Sequence, residues 1–412
     1  MAVSADPVTG RTRPAPGARD YLRLAWQRVR GGESGVLPVV GGLLLVSVIF
    51  QSLNDAFLTP GNLVNLLVQA AVFALLSMAE VFVLLLGEID LSVGFVAGIA
   101  AVVVAWLARP QLGWPWWAAI LAALAATALI GLLHGTLITR IGLPSFVVTL
   151  AGLLFWQGVM LFVLGSGGAI LISDEVLARI TSGTLAPLVG WVVMLAVVAA
   201  FGVVVWRRDA RRRDVGLTAP PVSLTVTKIA ACLAGGAGLM LLANTDRGRL
   251  APVLGLPWVV LVVLAVLVAW AYLLGRRRFG LYVYAVGGNA EAARRAGIPL
   301  ARIRTVCFVL CSLTAGIAGV VYASRLRSIS TSIDGGTLVL YAVAGAVIGG
   351  TSLFGGRGKM LHGVLGGLVI AAIDNGMGLL GFNAAAKYVV TAVVLIVAVT
   401  IDALTRRRRP QT

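Results

Sequence analysis

Twelve apolar runs of membrane-span length, separated by short basic blocks, dominate this sequence of 412 residues. They lie at about 36–53, 63–86, 91–108, 115–137, 145–164, 187–206, 227–244, 257–275, 304–323, 337–354, 360–381 and 386–404. A helix of about 20 apolar residues crosses the hydrocarbon core of a bilayer, and only a structure that pairs its own backbone groups survives there. The pattern predicts an all-α polytopic bundle of about twelve transmembrane helices. The run 337–354 is the weakest, because Gly345, Gly349 and Gly350 interrupt it.

Charge fixes the expected orientation. Only 12% of the residues are charged, against about 25% in an average soluble domain. The net charge of +17 points to topology rather than to nucleic acid, because the basic residues fall in blocks between the runs. With the N-terminus inside, 26 of the 33 Lys and Arg residues fall in inside segments and 7 in outside ones. Both termini are therefore expected on the cytoplasmic side. Residues 1–35 read as a polar cytoplasmic tail without a cleavable signal peptide, 36–405 as the membrane domain and 406–412 as a basic tail. The Arg-rich segment 207–226 reads as an inside loop between two halves of six spans each. The segment 165–187 reads as an outside connection with room for a short helix.

The most informative polar segment is 276–304. Asn289 is placed to N-cap a short helix from about Ala290 to Ala296, with Glu291 in its first turn, Arg294 and Arg295 in its last, and Gly297 as its C-cap. A rigid, capped helix on an inside loop suits docking on a cytosolic partner or lying on the membrane surface.

The chain shows no engine of its own. The nearest approach to a phosphate-cradling loop is Gly358–Lys359, where Leu353 stands at the first glycine position and Met360 replaces Ser or Thr. His134 and His362 lie in apolar runs, and Cys232, Cys307 and Cys311 have no metal-ligand spacing. No catalytic residue, metal site or cofactor is indicated. Polar residues inside spans mark the candidate solute path: Gln69, Gln157, Asp374 and Asn375. Glu80 is the candidate for ion coupling, the alternative in which the chain works as a stand-alone secondary transporter.

The turn Leu84–Gly94 sets Glu88 and Asp90 between apolar runs. Two placements are open, a solvated inside turn or a turn drawn into the bundle with Asp90 capping a helix that begins near Leu91. Ile89–Asp90 and Ile333–Asp334 also precede spans from opposite sides, as inverted repeats do.

Five segments in order, GEIDLSVG (87–94), LPSFVVTLAG (143–152), YAVGGNAEAARRAGI (284–298), IGGTSLFGG (348–356) and DNGM (374–377), resemble the permease subunits of ribose/xylose-type sugar ABC importers. The resemblance covers about 36–405 and is strongest to the D-xylose permease branch, which shares the Arg-rich insertion and two extra spans. It implies a homodimer in the plasma (inner) membrane. It also implies a cytosolic ABC ATPase contacting the loop with Asn289, Glu291, Ala292, Ala293 and Gly297, and an extracytoplasmic sugar-binding protein. Glu88, Asp90, Ser92 and Gly94 are the residues of its first motif. A sugar, a pentose such as xylose, is the expected solute; a non-sugar such as a nucleoside or autoinducer is the alternative. Before IGGTSL, Val339, Leu340 and Tyr341 stand where the family often has Glu-Leu-Asp. Either the docking surface for the binding protein has changed or the substrate has.

Overall fold

In a computed structural model, the described residues are 37–215, 219–248, 252–331 and 333–407. The expected tail 1–35 and the last residues of the basic C-terminal tail lie outside them. Among the described residues, eight helices are long and apolar enough to cross a membrane, and four shorter apolar helices accompany them. All twelve fall on the twelve runs, with ends shifted by a few residues.

The chain divides into two compact units. The larger comprises Val36–Thr184 and Pro257–Arg408. It contains α1 (Leu37–Leu53), α2 (Pro60–Leu84), α3 (Val93–Leu107), α4 (Trp116–Thr136) and α5 (Ser145–Leu164), then the short α6 (Glu175–Ser182). Local chemistry sets several of these starts. Pro60 occupies the first turn of α2, where its missing N–H is no loss, and Thr59 accepts from Asn62 N. Asp174 accepts from Leu177 N at 2.9 Å and starts α6 within the expected outside connection.

Two of these helices form the centre. Nearly every residue of α2 from Gln69 to Leu84 is buried, so it is wrapped by other helices rather than by lipid. Helix α2 packs on α12 (Leu300–Leu326), and α3, α4, α13 (Gly335–Ile348) and α14 (Met360–Leu379) close around the pair. Glycines make this closeness possible. A Cβ on Gly363 or Gly367 of α14 would meet the α2 backbone at Met78 or Ala74, and one on Gly366 would meet the carbonyl of Gly345 in α13. Small residues let helices approach to backbone contact, the main attraction available where lipid is as apolar as leucine. A two-stranded antiparallel ribbon, β1 (Ala169–Leu171) with β2 (Ser328–Ser330), links the ends of two connections. No sequence signal marked it.

The smaller unit contains the described part of Leu185–Leu256. It is a helical hairpin of α7 (Pro187–Asp214) and α8 (Val222–Ala243). Met240 packs against Gly190, and Met194 against Gly236. The expected inside loop at 207–226 is corrected here: through Asp214 it continues α7 as helix. Arg208 pairs with the fully buried Asp209 at 3.0 Å, and Thr225 of α8 donates to the same carboxylate at 3.0 Å. That bonding extends the helix beyond its apolar stretch. Beyond α8, Asp246 accepts from Gly248 N and Val253 N, and these backbone donors hold its carboxyl below the usual aspartate value.

Candidate functional site

The segment 276–304 folds into α9's end (Trp258–Arg276), α10 (Arg278–Gly288) and α11 (Ala290–Arg295). Asn289 accepts from Ala292 N at 2.9 Å and caps α11. Glu291 pairs with Arg294 at 2.6 Å and with Arg295 at 3.1 Å. At the other end Gly297 adopts φ +79°, Ile298 N donates to Ala293 O and Gly297 N to Arg294 O. Those paired bonds form the left-handed helix stop that glycine favours. Ala293 is buried beneath the helix, while Ala292 is exposed.

Three glycine-bearing segments meet just before α11. The turn after α2 holds Gly87 at φ +76°, and there Glu88 N donates to Val83 O. Gly287 lies against the Leu85 carbonyl, and a Cβ on Gly287 would collide with it. Gly356 N donates to Leu85 O at 2.8 Å, and a Cβ on Gly355 would meet both Gly287 O and Gly87 N. Side-chain bonds fasten this junction. Tyr284 OH donates to Gly358 O at 2.8 Å, and burial pushes the Tyr284 phenol above its usual pKa. Arg304 of α12 faces Glu88 at 3.6 Å. The sequence shows each glycine, but nothing in it shows that segments 200 and 268 residues after Gly87 meet there.

From Glu88 the chain turns inward. Asp90 is fully buried and accepts from Ser92 N at 2.9 Å, Ser92 Oγ at 2.6 Å and Cys311 Sγ at 3.8 Å. Cys311 is seven residues beyond Arg304 on α12, about 10 Å further along the helix. The turn is therefore drawn into the bundle. Helix α3 starts at Val93 rather than near Leu91, with Asp90 closing the turn before it. Ser92 Oγ lies 3.4 Å from His134 Nδ1, and Trp156 Nε1 donates to His134 Nε2 at 3.2 Å. Glu80, also fully buried, lies within electrostatic reach of Asp90. Glu80 is thus one of a carboxyl pair, which the sequence did not reveal. A Cβ on Gly94 would collide with Gly335 O, so the N-termini of α3 and α13 touch.

At the far end of α2 a second polar group assembles. Gln69 donates to Asp374, and Asn375 donates to Gln69 Oε1 at 3.4 Å. Asn62 and Asn375 exchange amide bonds at 2.8 and 3.0 Å. Lys387, in α15 (Ala384–Arg407), pairs with Asp374 at 2.9 Å. Gln157 is not part of this group; it lies on α5, which packs on α3 and α4. Sequence reasoning missed Asn62 and Lys387, although both are polar residues near the ends of apolar runs. Asp334, which caps α13, accepts from Thr337 N at 3.0 Å and Tyr388 OH at 3.0 Å. Burial works against its ionisation, but the donors from Thr337 and Tyr388 outweigh it and hold the carboxyl below the usual value. Val339 and Tyr341 are buried within α13, and the Tyr341 ring meets Phe73 edge-on at 5.1 Å. They form no outer docking surface; Tyr341 lies within electrostatic reach of Asp374.

Among known proteins, the family model described as "Branched-chain amino acid transport system / permease component" matches residues 62–399. The chain is 33% identical to the xylose transport system permease protein XylH of Escherichia coli over 92% of its own length and 96% of that protein. It is 34% identical to XylH of Haemophilus influenzae over 89% of this chain and 95% of that one. It is 30% identical to the ribose import permease protein RbsC of Escherichia coli, over 87% and 91%. No solved structure matches the chain. With twelve apolar helices among the described residues and this likeness along nearly its whole length, the chain belongs to the xylose/ribose-type sugar permeases of ABC importers, multi-pass proteins of the plasma membrane.

Proposed function

We propose that this permease carries a pentose such as xylose inward, as one half of a homodimer. A cytosolic ATPase docks on α11, and an extracytoplasmic sugar-binding protein delivers the solute. The observation that carries this reading is the course of α2. Its C-terminal end packs at Leu85 against Gly287 of the segment leading into α11, and its other half supplies Asn62 and Gln69 to the polar group. Leu85 and Gln69 are sixteen residues apart, about 24 Å along one helix. A push on α11 reaches the polar group through one rigid element. Alternating access follows if that push tilts α2 against α14.

The polar group suits a neutral polyol. Three carboxamides offer both donors and acceptors, and the Asp374–Lys387 pair cancels its own charge. In this arrangement the group satisfies itself, and sugar hydroxyls would replace those internal bonds during passage. Glu88, Asp90, Ser92 and Gly94 act structurally, holding the entry of α3 inside the bundle.

Uptake competition in cells carrying the full importer tests the solute. Labelled D-xylose is expected to enter and to be displaced by unlabelled pentoses. Displacement by nucleosides but not by sugars would overturn the assignment, and the burial of Tyr341 within electrostatic reach of Asp374 makes that comparison informative.

A further inference from the structure

Along one face of α7 an apolar stripe gives way to arginine. Val197, Phe201, Val204, Arg208 and Arg211 follow one another at spacings of three or four residues, the repeat of a single helix face, and all five are exposed. At about 100° per residue, Arg207, Arg208, Arg211 and Arg212 share an arc of about 140°, and Val197, Phe201 and Val204 point within that same arc. At about 1.5 Å per residue, the four arginines lie about 5–12 Å beyond Val204. The headgroup layer of a bilayer is about 5–8 Å deep on each side, so they stand at its level.

Buried bonds fix this face. Asp209 is fully buried and accepts from Arg208 Nε at 3.0 Å and from Thr225 Oγ1 of α8 at 3.0 Å. Arg213 donates to Thr225 Oγ1 at 3.4 Å, and its guanidinium stands over the Trp206 ring at 5.9 Å. Those bonds hold the last turns of α7 as helix against α8. Arg207, Arg211 and Arg212 take no part in them: all three are exposed, and their side chains form no ion pair or hydrogen bond among the described residues. Trp206 is exposed beside the first of them, where indoles anchor helices at a membrane surface. Orientation and the helix dipole call for positive charge near this end. Neither calls for unpaired guanidiniums gathered below an exposed apolar stripe.

We infer that this face of α7 binds an anionic phospholipid of the leaflet that the charge pattern places inside. Its acyl chains lie along Val197, Phe201 and Val204, and its phosphate sits among Arg207, Arg211 and Arg212. Guanidinium forks bind phosphate oxygens in pairs, and an anion relieves the mutual repulsion of three unpaired cations. A phospholipid supplies that anion together with the chains that cover the stripe; a soluble phosphate gains nothing from the stripe. The bound lipid fixes the depth of the α7–α8 hairpin in the bilayer.

Native mass spectrometry of the solubilised full chain tests the site, with phosphatidylglycerol and phosphatidylcholine of matched chains supplied as an equal mixture. Preferential retention of phosphatidylglycerol is expected. Combining Arg207→Gln, Arg211→Gln and Arg212→Gln is expected to lower that preference about thirtyfold, and Arg211→Gln alone about threefold, which keeps the test open if the triple variant fails to insert. A second triple variant, Arg276→Gln with Arg277→Gln and Arg278→Gln, removes equal charge from another basic block and is expected to keep the preference. Inorganic phosphate in large excess is expected to leave the lipid in place. No preference in the unaltered chain, an equal fall in both triple variants, or displacement of the lipid by inorganic phosphate would each overturn the inference.

Discussion

The backbone of Gly287 lies against the carbonyl oxygen of Leu85, leaving no room for a side chain between them. This contact joins the segment leading into α11 to the central helix α2. Its neighbour Gly288 has open space where a Cβ would stand. Gly287→Ala is therefore expected to reduce sugar uptake at least tenfold by forcing the two segments apart, an overpacking effect of about 1–3 kcal/mol. Gly288→Ala is expected to transport normally. Uptake measured at matched membrane levels distinguishes them, and equal activity in both variants would remove the junction from the coupling path.

At α11, Glu291→Arg breaks two ion pairs and sets three like charges together, and Gly297→Val forces a β-branched residue into a left-handed conformation. Exposed ion pairs stabilise little, and the strain at Gly297 amounts to about 1–2 kcal/mol. Both variants are expected to fold and insert but to lose uptake. Size-exclusion profiles of the solubilised permease check the first half, and whole-cell uptake the second. Retained uptake with normal ATPase association would count against α11 as the docking lever.

Much of the fold is legible in the sequence because each span carries its own signal. Apolar length sets the helix, and Asn289, Pro60, Gly87 and Gly297 mark ends that depend on residues close by in the chain. The sites were less legible, because their partners are distant. Asp374 and Asn375 stand out as polar residues in a span, yet their bonds reach Asn62, Gln69 and Lys387 on other helices. Gln157 carries the same signal and joins none of them. The pairing of Glu80 with Asp90 depends on a turn entering the bundle, which charge counting places at the surface. Helical continuation through Arg207–Asp214 was hidden by its charge, since the buried bonds of Asp209 appear only once α7 and α8 pack.

Lys387 and Asp374 offer a test of the polar group. Lys387→Met leaves the Asp374 carboxylate without its cation in a half-buried setting, which costs less than the ~3–5 kcal/mol of a fully buried pair. Uptake is expected to fall in Lys387→Met and to recover in part when Asp374→Asn is added. A double-mutant cycle on uptake and thermal stability measures the coupling; strictly additive losses would show that the pair does not act as a unit.

Acid stability reports on the start of α13. Because the Asp334 carboxyl is held below its ordinary value of 3.8, its cap is fully present above that value and is lost as pH falls through the lowered one. Asp334→Asn keeps a capping side chain without the charge, and Asp334→Ala removes the cap at about 1 kcal/mol. The wild-type melting temperature is expected to fall more steeply than that of Asp334→Asn below pH 4. Parallel curves would remove Asp334 as the source of that acid sensitivity.

As a sugar permease of an ABC importer, this chain is moved by an ATPase that lies in a separate subunit. Reconstitution in proteoliposomes tests it most directly, with permease alone or with ATPase and binding protein added, and with ATP or an imposed proton or sodium gradient. Sugar uptake is predicted only with the ATPase, the binding protein and ATP together. Uptake by the permease alone, driven by an ion gradient, would contradict the account and assign the buried Glu80–Asp90 pair to ion coupling instead.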